Sequence, residues 1–266
     1  MADDGQEQVK VGKGHRGRAV YVLPNLFTTA GLFCGFYAII HAASGQFFSA
    51  AVAILLASVF DALDGRVARM LGATSEFGAE YDSLSDMVAF GIAPAALVYH
   101  WSLVPFGQPG WVAAFLFAVA GALRLARFNV YSGNQDKRYF QGLPIPAAAG
   151  VIASLVLLYE DQGWDPSYFS IPMMLLIYLL AFLMVSSIPF RSFKDVDLKS
   201  QEKFGVLAKV VGVLIVVAMI PQVALFAILL GYALSGPLAK IASLRRRKLA
   251  KASSTDVPPP SDSTGT

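Results

Sequence analysis

A series of apolar stretches, each near the roughly 20 residues a helix needs to cross a bilayer, constrains this chain more than any other feature. Eight can be marked: 21–41, 47–70, 84–105, 110–131, 144–160, 168–188, 205–220 and 222–240. Of the 266 residues, 56% are hydrophobic and the mean hydropathy is +0.57, richer in apolar side chains than soluble chains usually are. The expected fold is therefore all-α: a polytopic membrane helical bundle of about eight transmembrane helices. The last two are divided only by a turn at Pro221, and a single long kinked helix is the alternative there.

Lysine and arginine test this count, because they gather on the cytoplasmic side of a membrane. With eight spans and a cytoplasmic start, the inside segments are 1–20, 71–83, 132–143, 189–204 and 241–266. These segments and the span ends beside them hold all 21 lysines and arginines. The outside turns hold none, and the one near 161–167 is acidic, with Glu160, Asp161 and Asp165. Both termini are thus expected in the cytoplasm. Residues 1–20 form an N-terminal segment and 21–240 a membrane-embedded domain. Residues 241–266 form a tail that begins basic, at Arg245–Lys248, and turns rich in Ser, Pro and Thr, which reads as disordered from about residue 252. The first apolar run starts too late and is too long for a cleavable leader. The single cysteine, Cys34, excludes an intrachain disulfide framework, and His15, His41 and His100 show no metal-ligand spacing.

Against this apolar background stands the stretch DALDGRVARMLGATSEFGAEYDSLSD, from Asp61 to Asp86. Asp61 and Asp64 share one face of the second helix. Gly72 can end that helix, and Thr74 or Ser75 can cap the next. Gly78, Asp82 and Asp86 follow at four-residue spacing on one face of the third. Two antiparallel helices would then present two pairs of carboxylates to one gap. Asp61 lies 14 residues beyond Phe47, roughly 21 Å along a helix, or about two-thirds of the way across the hydrocarbon core. Ionisable groups at that depth face cavities and mark function. Hard divalent cations would offset them, since these favour carboxylate and phosphate oxygens together. Arg66 and Arg69 point to an anionic ligand at the same mouth, and the start of the third helix offers backbone N–H groups for phosphate. Gly65 and Gly78 leave room for a bulky ligand near the backbone. Glu76 and Glu80 fall off the Asp82/Asp86 face and read as interfacial charges.

The pattern D-x2-D-G-x2-A-R-x8-G-x3-D-x3-D occurs here without gap or substitution, through Asp61, Asp64, Gly65, Ala68, Arg69, Gly78, Asp82 and Asp86. It resembles the signature of the CDP-alcohol phosphatidyltransferase family, which displaces CMP from a CDP-linked lipid with an alcohol. Four further blocks resemble the branch of that family that forms phosphatidylserine: LPNLFTTAGLFCGFYAI, ALRLARFN, GLPIPAAAG and LMVSSIPFRSFKDVD. The resemblance implies a six-helix core with two C-terminal additions, in the cytoplasmic membrane and with its active site facing the cytoplasm. It implies two divalent cations, Mg²⁺ or Mn²⁺, on Asp61, Asp64, Asp82 and Asp86, with Asp86 also the general base. Contacts to the CDP-lipid would come from Asn25, Thr28, Asp61, Gly65, Arg69, Ser75 and Gly78. The implied donor is CDP-diacylglycerol and the implied acceptor L-serine. Membrane lipids surround the chain, a homodimer is expected, and no nucleic acid is.

Serine needs a group for its carboxylate. Arg124 and Arg127 stand three apart near the inner end of the fourth span, and a guanidinium fork suits a carboxylate. Asn129 is a polar partner, and Arg191, Lys194 and Asp195 are further candidates. Glycerol 3-phosphate, inositol phosphate or choline remain alternative acceptors. A cation-coupled transporter is the alternative of another class, although no inverted repeat or paired broken helices are evident.

Overall fold

A computed structural model describes residues 14–73, 75–131, 139–191 and 220–255. Among them the protein is almost wholly helical. Helix α1 spans Gly14–Ala43 and α2 Phe47–Leu71. The third, α3, runs over Glu76–Phe106 with changes of pitch inside it, and α4 spans Gln108–Tyr131. The central α5 is Ile145–Gln162, α6 is Ser170–Val185, and α7 is Pro221–Thr255. Five stretches are long and apolar enough to cross a membrane: Tyr21–Ala43, Phe47–Leu71, Glu76–Phe106, Gln108–Val130 and Pro221–Lys240. Helix α6 is apolar but shorter. The expected span at 205–220 lies outside the described residues. Two expected boundaries move: α1 begins before residue 21, and α7 continues through 241–255, where a tail was expected; α3 begins at Glu76, directly after the cap expected at Thr74 or Ser75 and ahead of its apolar span from 84.

The helices sort their faces as a bilayer solvent demands. On α6, Ile171, Leu175, Tyr178 and Phe182 are exposed along one face, while Met173, Ile177, Leu180 and Met184 are buried along the other. Helix α5 is different: Ala148 through Leu157 are buried without a break, as befits a helix packed on all sides. It touches α2 and α7 most. On α1 the inward face is small: Thr28, Gly31, Gly35, Ala38 and Ala42. A Cβ on Gly35 would stand 2.7 Å from Ala89 Cα, so α1 and α3 cross where only glycine allows it. Small residues of this kind let membrane helices approach closely.

Helix α3 changes pitch for an identifiable reason. It widens to π-helical turns at Met87–Ile92 and Tyr99–Leu103. Each wide turn ends just before a proline, Pro94 or Pro105. A proline inside a helix lacks the N–H and clashes with the carbonyl four residues back, and a wider turn relieves both. The first of these turns starts directly after Asp86.

One element was not expected. Residues Tyr139–Gln141 (β1) and Pro189–Arg191 (β2) pair antiparallel, with Phe140 opposite Phe190. Two three-residue strands carry too little periodicity to be read from sequence. They form because the approach to α5 and the exit from α6 lie side by side: Gly142 N–H donates to Ile188 O at 2.9 Å, and Leu143 N–H to Leu183 O at 3.0 Å.

Candidate active site

The hairpin between α2 and α3 is built as its residue types require. Gly72 ends α2 in the left-handed conformation, φ +61°, where a side chain is disfavoured. The N–H groups of Gly72 and Ala73 return to the carbonyls of Arg69 and Ala68. Ser75 caps α3, its Oγ accepting the Gly78 N–H at 3.0 Å; Thr74 lies outside the described residues. Both helices pack against α1, and the four signature aspartates line one recess between them.

Oxygens of Asp61, Asp64 and Asp82 come within 4.8 Å of one another. Asp64 is buried, and Asp61 and Asp82 are half-buried. Asp86, one turn deeper on α3, lines the same narrow recess with Thr28, Gly31, Ala57, Ser85, Ala89 and Phe90. At such separations each pair of ionised carboxylates would repel by roughly 3–4 kcal/mol at an effective dielectric near 20. Opposite oxygens around one divalent ion lie roughly 4–5 Å apart. The donor set is all hard oxygen and its spacing suits such an ion, so these residues fit a divalent cation.

Outside the recess opens a cleft of about 280 Å³. Six of the seven residues expected to contact the CDP-lipid line it: Asn25, Thr28, Gly65, Arg69, Ser75 and Gly78. The seventh, Asp61, lies in the recess. Asp64 and Asp82 border both spaces. The two signature glycines keep the cleft open. A Cβ on Gly65 would stand 3.3 Å from an Arg69 guanidinium nitrogen, and one on Gly78 would stand 3.1 Å from Ser75 Oγ and 3.6 Å from Asn25 Oδ1. Ala68 of the signature lines it too, and Pro24, Ala73 and Ala79, which sequence reasoning did not single out, complete the lining. It also missed Ser85, whose hydroxyl lies inside the recess and donates to Thr28 O at 3.0 Å.

The three expected acceptor residues diverge. Arg124 is 9% exposed, and its Nε is buried without a hydrogen-bond partner. Arg127, one turn on, faces the backbone instead. It donates to Gln141 O at 2.7 Å, Val185 O at 3.0 Å and Ser186 O at 3.2 Å. Asn129 is exposed and its Nδ2 donates to Ser83 Oγ on α3 at 3.0 Å. Arg191 belongs to β2, and Lys194 and Asp195 lie outside the described residues.

The chain is similar to known proteins. The chain is 41% identical over 177 residues to the CDP-diacylglycerol–serine O-phosphatidyltransferase of Helicobacter pylori (strain ATCC 700392 / 26695), covering 66% of this chain and 75% of that one. It is 33% identical over 241 residues to the enzyme of the same name from Mycobacterium bovis, covering 85% of this chain and 81% of that one. It is 37% identical over 170 residues to the archaetidylserine synthase of Methanothermobacter thermautotrophicus, covering 63% of this chain and 69% of that one. The model of the CDP-alcohol phosphatidyltransferase family matches residues 21–188, which hold the aspartate hairpin, the cleft and Arg124, and the chain belongs to that family.

Proposed function

We propose that this protein is an enzyme that transfers the phosphatidyl group of CDP-diacylglycerol to L-serine and releases CMP. The observation that carries the reading is the convergence of Asp61, Asp64 and Asp82 beside a cleft lined by Gly65, Ala68, Arg69 and Gly78 of the same signature. The names of its relatives support the serine acceptor. Asp61, Asp64, Asp82 and Asp86 would hold two divalent cations, Mg²⁺ or Mn²⁺. Bound there, such ions offset the charge of a diphosphate and of the departing CMP.

The chain's own residues do the rest. Asn25, Gly65, Arg69, Ser75 and Gly78 receive the cytidine diphosphate in the cleft, with Arg69 as the cationic contact. Asp86 takes the proton from the serine hydroxyl as that oxygen attacks the lipid-side phosphorus, because a protonated hydroxyl is a poor nucleophile. The new P–O bond forms as the bond to CMP breaks. Arg124 receives the serine carboxylate, since a buried guanidinium with a free N–H needs an acceptor. Arg127 and Asn129 shape the rim of that pocket. The distribution of lysine and arginine supports eight spans with both termini cytoplasmic, in the cytoplasmic membrane, with the site facing the cytoplasm. A homodimer is part of the same reading.

CMP release by the purified protein tests the proposal. CDP-diacylglycerol and Mn²⁺ or Mg²⁺ are supplied with L-serine, glycerol 3-phosphate, inositol phosphate or choline, each alone, beside a chelator control. Metal-dependent release with serine alone is the expected result. Release with another alcohol instead would overturn the acceptor, and release unaffected by the chelator would overturn the role of the aspartates.

A further inference from the structure

Thr28 belongs to the PNLFT stretch expected to contact the nucleotide, yet its hydroxyl is engaged within the protein. It is 5% exposed and lies between α1 and the aspartate hairpin. Thr28 Oγ1 donates to Asp64 Oδ2 at 2.8 Å, with Pro24 O a second acceptor at 3.2 Å. One hydroxyl carries one proton, and a carboxylate at the shorter distance is the stronger acceptor. The backbone that carries Thr28 is pinned from the other side: Ser85, 4% exposed and adjacent to Asp86 in sequence, donates to Thr28 O at 3.0 Å. A Cβ placed on Gly31, three residues along α1, would stand 3.7 Å from Ser85 Oγ and 3.8 Å from Phe60 Cβ. A chain of two hydrogen bonds thus ties α3 to α1 and α1 to a carboxylate of α2.

We infer that Thr28 is a positioning residue for the cation site: its hydroxyl sets the orientation of the Asp64 carboxylate, and Ser85 holds Thr28 in place to do so. The inference rests on the reading of Asp61, Asp64 and Asp82 as cation ligands. An aspartate has two side-chain torsions to order on binding a cation, and a hydrogen bond to one oxygen orders them beforehand. Partners that orient metal ligands in this way are worth about 10–100-fold in metal affinity.

The test is Mn²⁺ binding by the purified full chain without lipid substrates, read as loss of the free-ion electron paramagnetic resonance signal. Thr28→Val keeps the shape and removes the hydroxyl, Thr28→Ala removes both, and Thr28→Ser restores the hydroxyl. Val and Ala should each weaken Mn²⁺ binding by about tenfold, and Ser should return it to within about threefold of the parent. The KM for CDP-diacylglycerol at saturating Mn²⁺ should move by less than threefold in Thr28→Val. Unchanged Mn²⁺ binding in Thr28→Val or Thr28→Ala, or equal weakening in Thr28→Ser, overturns the proposal. A raised donor KM with Mn²⁺ binding intact would return Thr28 to the nucleotide. Asp64→Ala separates the two levels of the argument. If it binds Mn²⁺ like the parent, the cation reading falls and this inference with it. If it loses Mn²⁺ while Thr28→Val does not, only this inference falls.

Discussion

Arg127 is the residue whose removal best separates packing from chemistry. Its guanidinium reaches from α4 to three backbone carbonyls, those of Gln141, Val185 and Ser186. Val185 is the last residue of α6, and the last four carbonyls of a helix have no partner within it. A cation at that end also complements the helix dipole. Arg127→Ala therefore removes a cross-helix cap and the clip that joins the approach to α5 with the exit from α6. Hydrogen bonds from charged groups contribute about 1.5–3 kcal/mol each when buried. Two of these three are exposed, so about 1 kcal/mol apiece is the better figure, or roughly 3 kcal/mol in all. For a chain of this size that corresponds to a fall of about 6–12 °C in Tm. The assay is thermal unfolding in detergent, run beside limited proteolysis and the serine KM. The expected result is a lower Tm, faster cleavage between residues 139 and 143 or 186 and 191, and a serine KM within about threefold of the parent. Arg127→Lys should rescue little, because one ammonium on a flexible stem cannot match the planar fork across three carbonyls. An unchanged Tm with a serine KM raised tenfold or more would refute the reasoning and make Arg127 a substrate contact.

Arg124→Ala should behave in the opposite way, raising the serine KM by about tenfold or more while donor KM stays near that of the parent, because a lost charged hydrogen bond contributes 1.5 kcal/mol or more; steady-state CMP release against each substrate checks this. Asp86→Asn should lower kcat by about 100-fold or more, the range of general-base losses, and still bind CDP-diacylglycerol in an equilibrium assay. Gly35→Ala should cost about 1–3 kcal/mol of stability, since its Cβ would meet the Ala89 backbone at 2.7 Å, and a thermal shift reads it. Gly78→Leu should raise the donor KM and also lower Tm, because its side chain would enter the cleft beside Asn25 and crowd the Ser75 hydroxyl that caps α3; CMP release against donor concentration and a thermal shift check it.

Legibility followed range along the chain. The aspartate hairpin was readable because everything that makes it is local: helical spacing puts Asp61 with Asp64 and Gly78 with Asp82, and a glycine and a serine close the turn between the helices. The cleft lining was readable for a different reason, namely that its residues sit in a motif whose resemblance to a family could be recognised. The partner of a given polar group was not. Thr28 and Asp64 are 36 positions apart, and Arg127 and Ser186 are 59 apart. Nothing in the periodicity of either segment says which of several nearby acceptors a hydroxyl or a guanidinium will find.

By itself the sequence determined that this chain forms apolar helices, where most of them begin and end, and that one hairpin carries four carboxylates. Those properties follow from side-chain hydrophobicity, helical period and terminal caps, all of which act within a few turns. Tertiary structure alone decided that Arg127 closes the backbone while Arg124 is left buried with an unpartnered N–H, that Thr28 turns to Asp64, and that two short strands pair. Each of these depends on which helices pack together and at what distance. The close crossing of α1 and α3 at Gly35 and Ala89 is one such packing, and Ser85 of α3 meets Thr28 of α1 on the same pair of helices, because hydrogen bonds form only between groups that packing has already brought within about 3 Å.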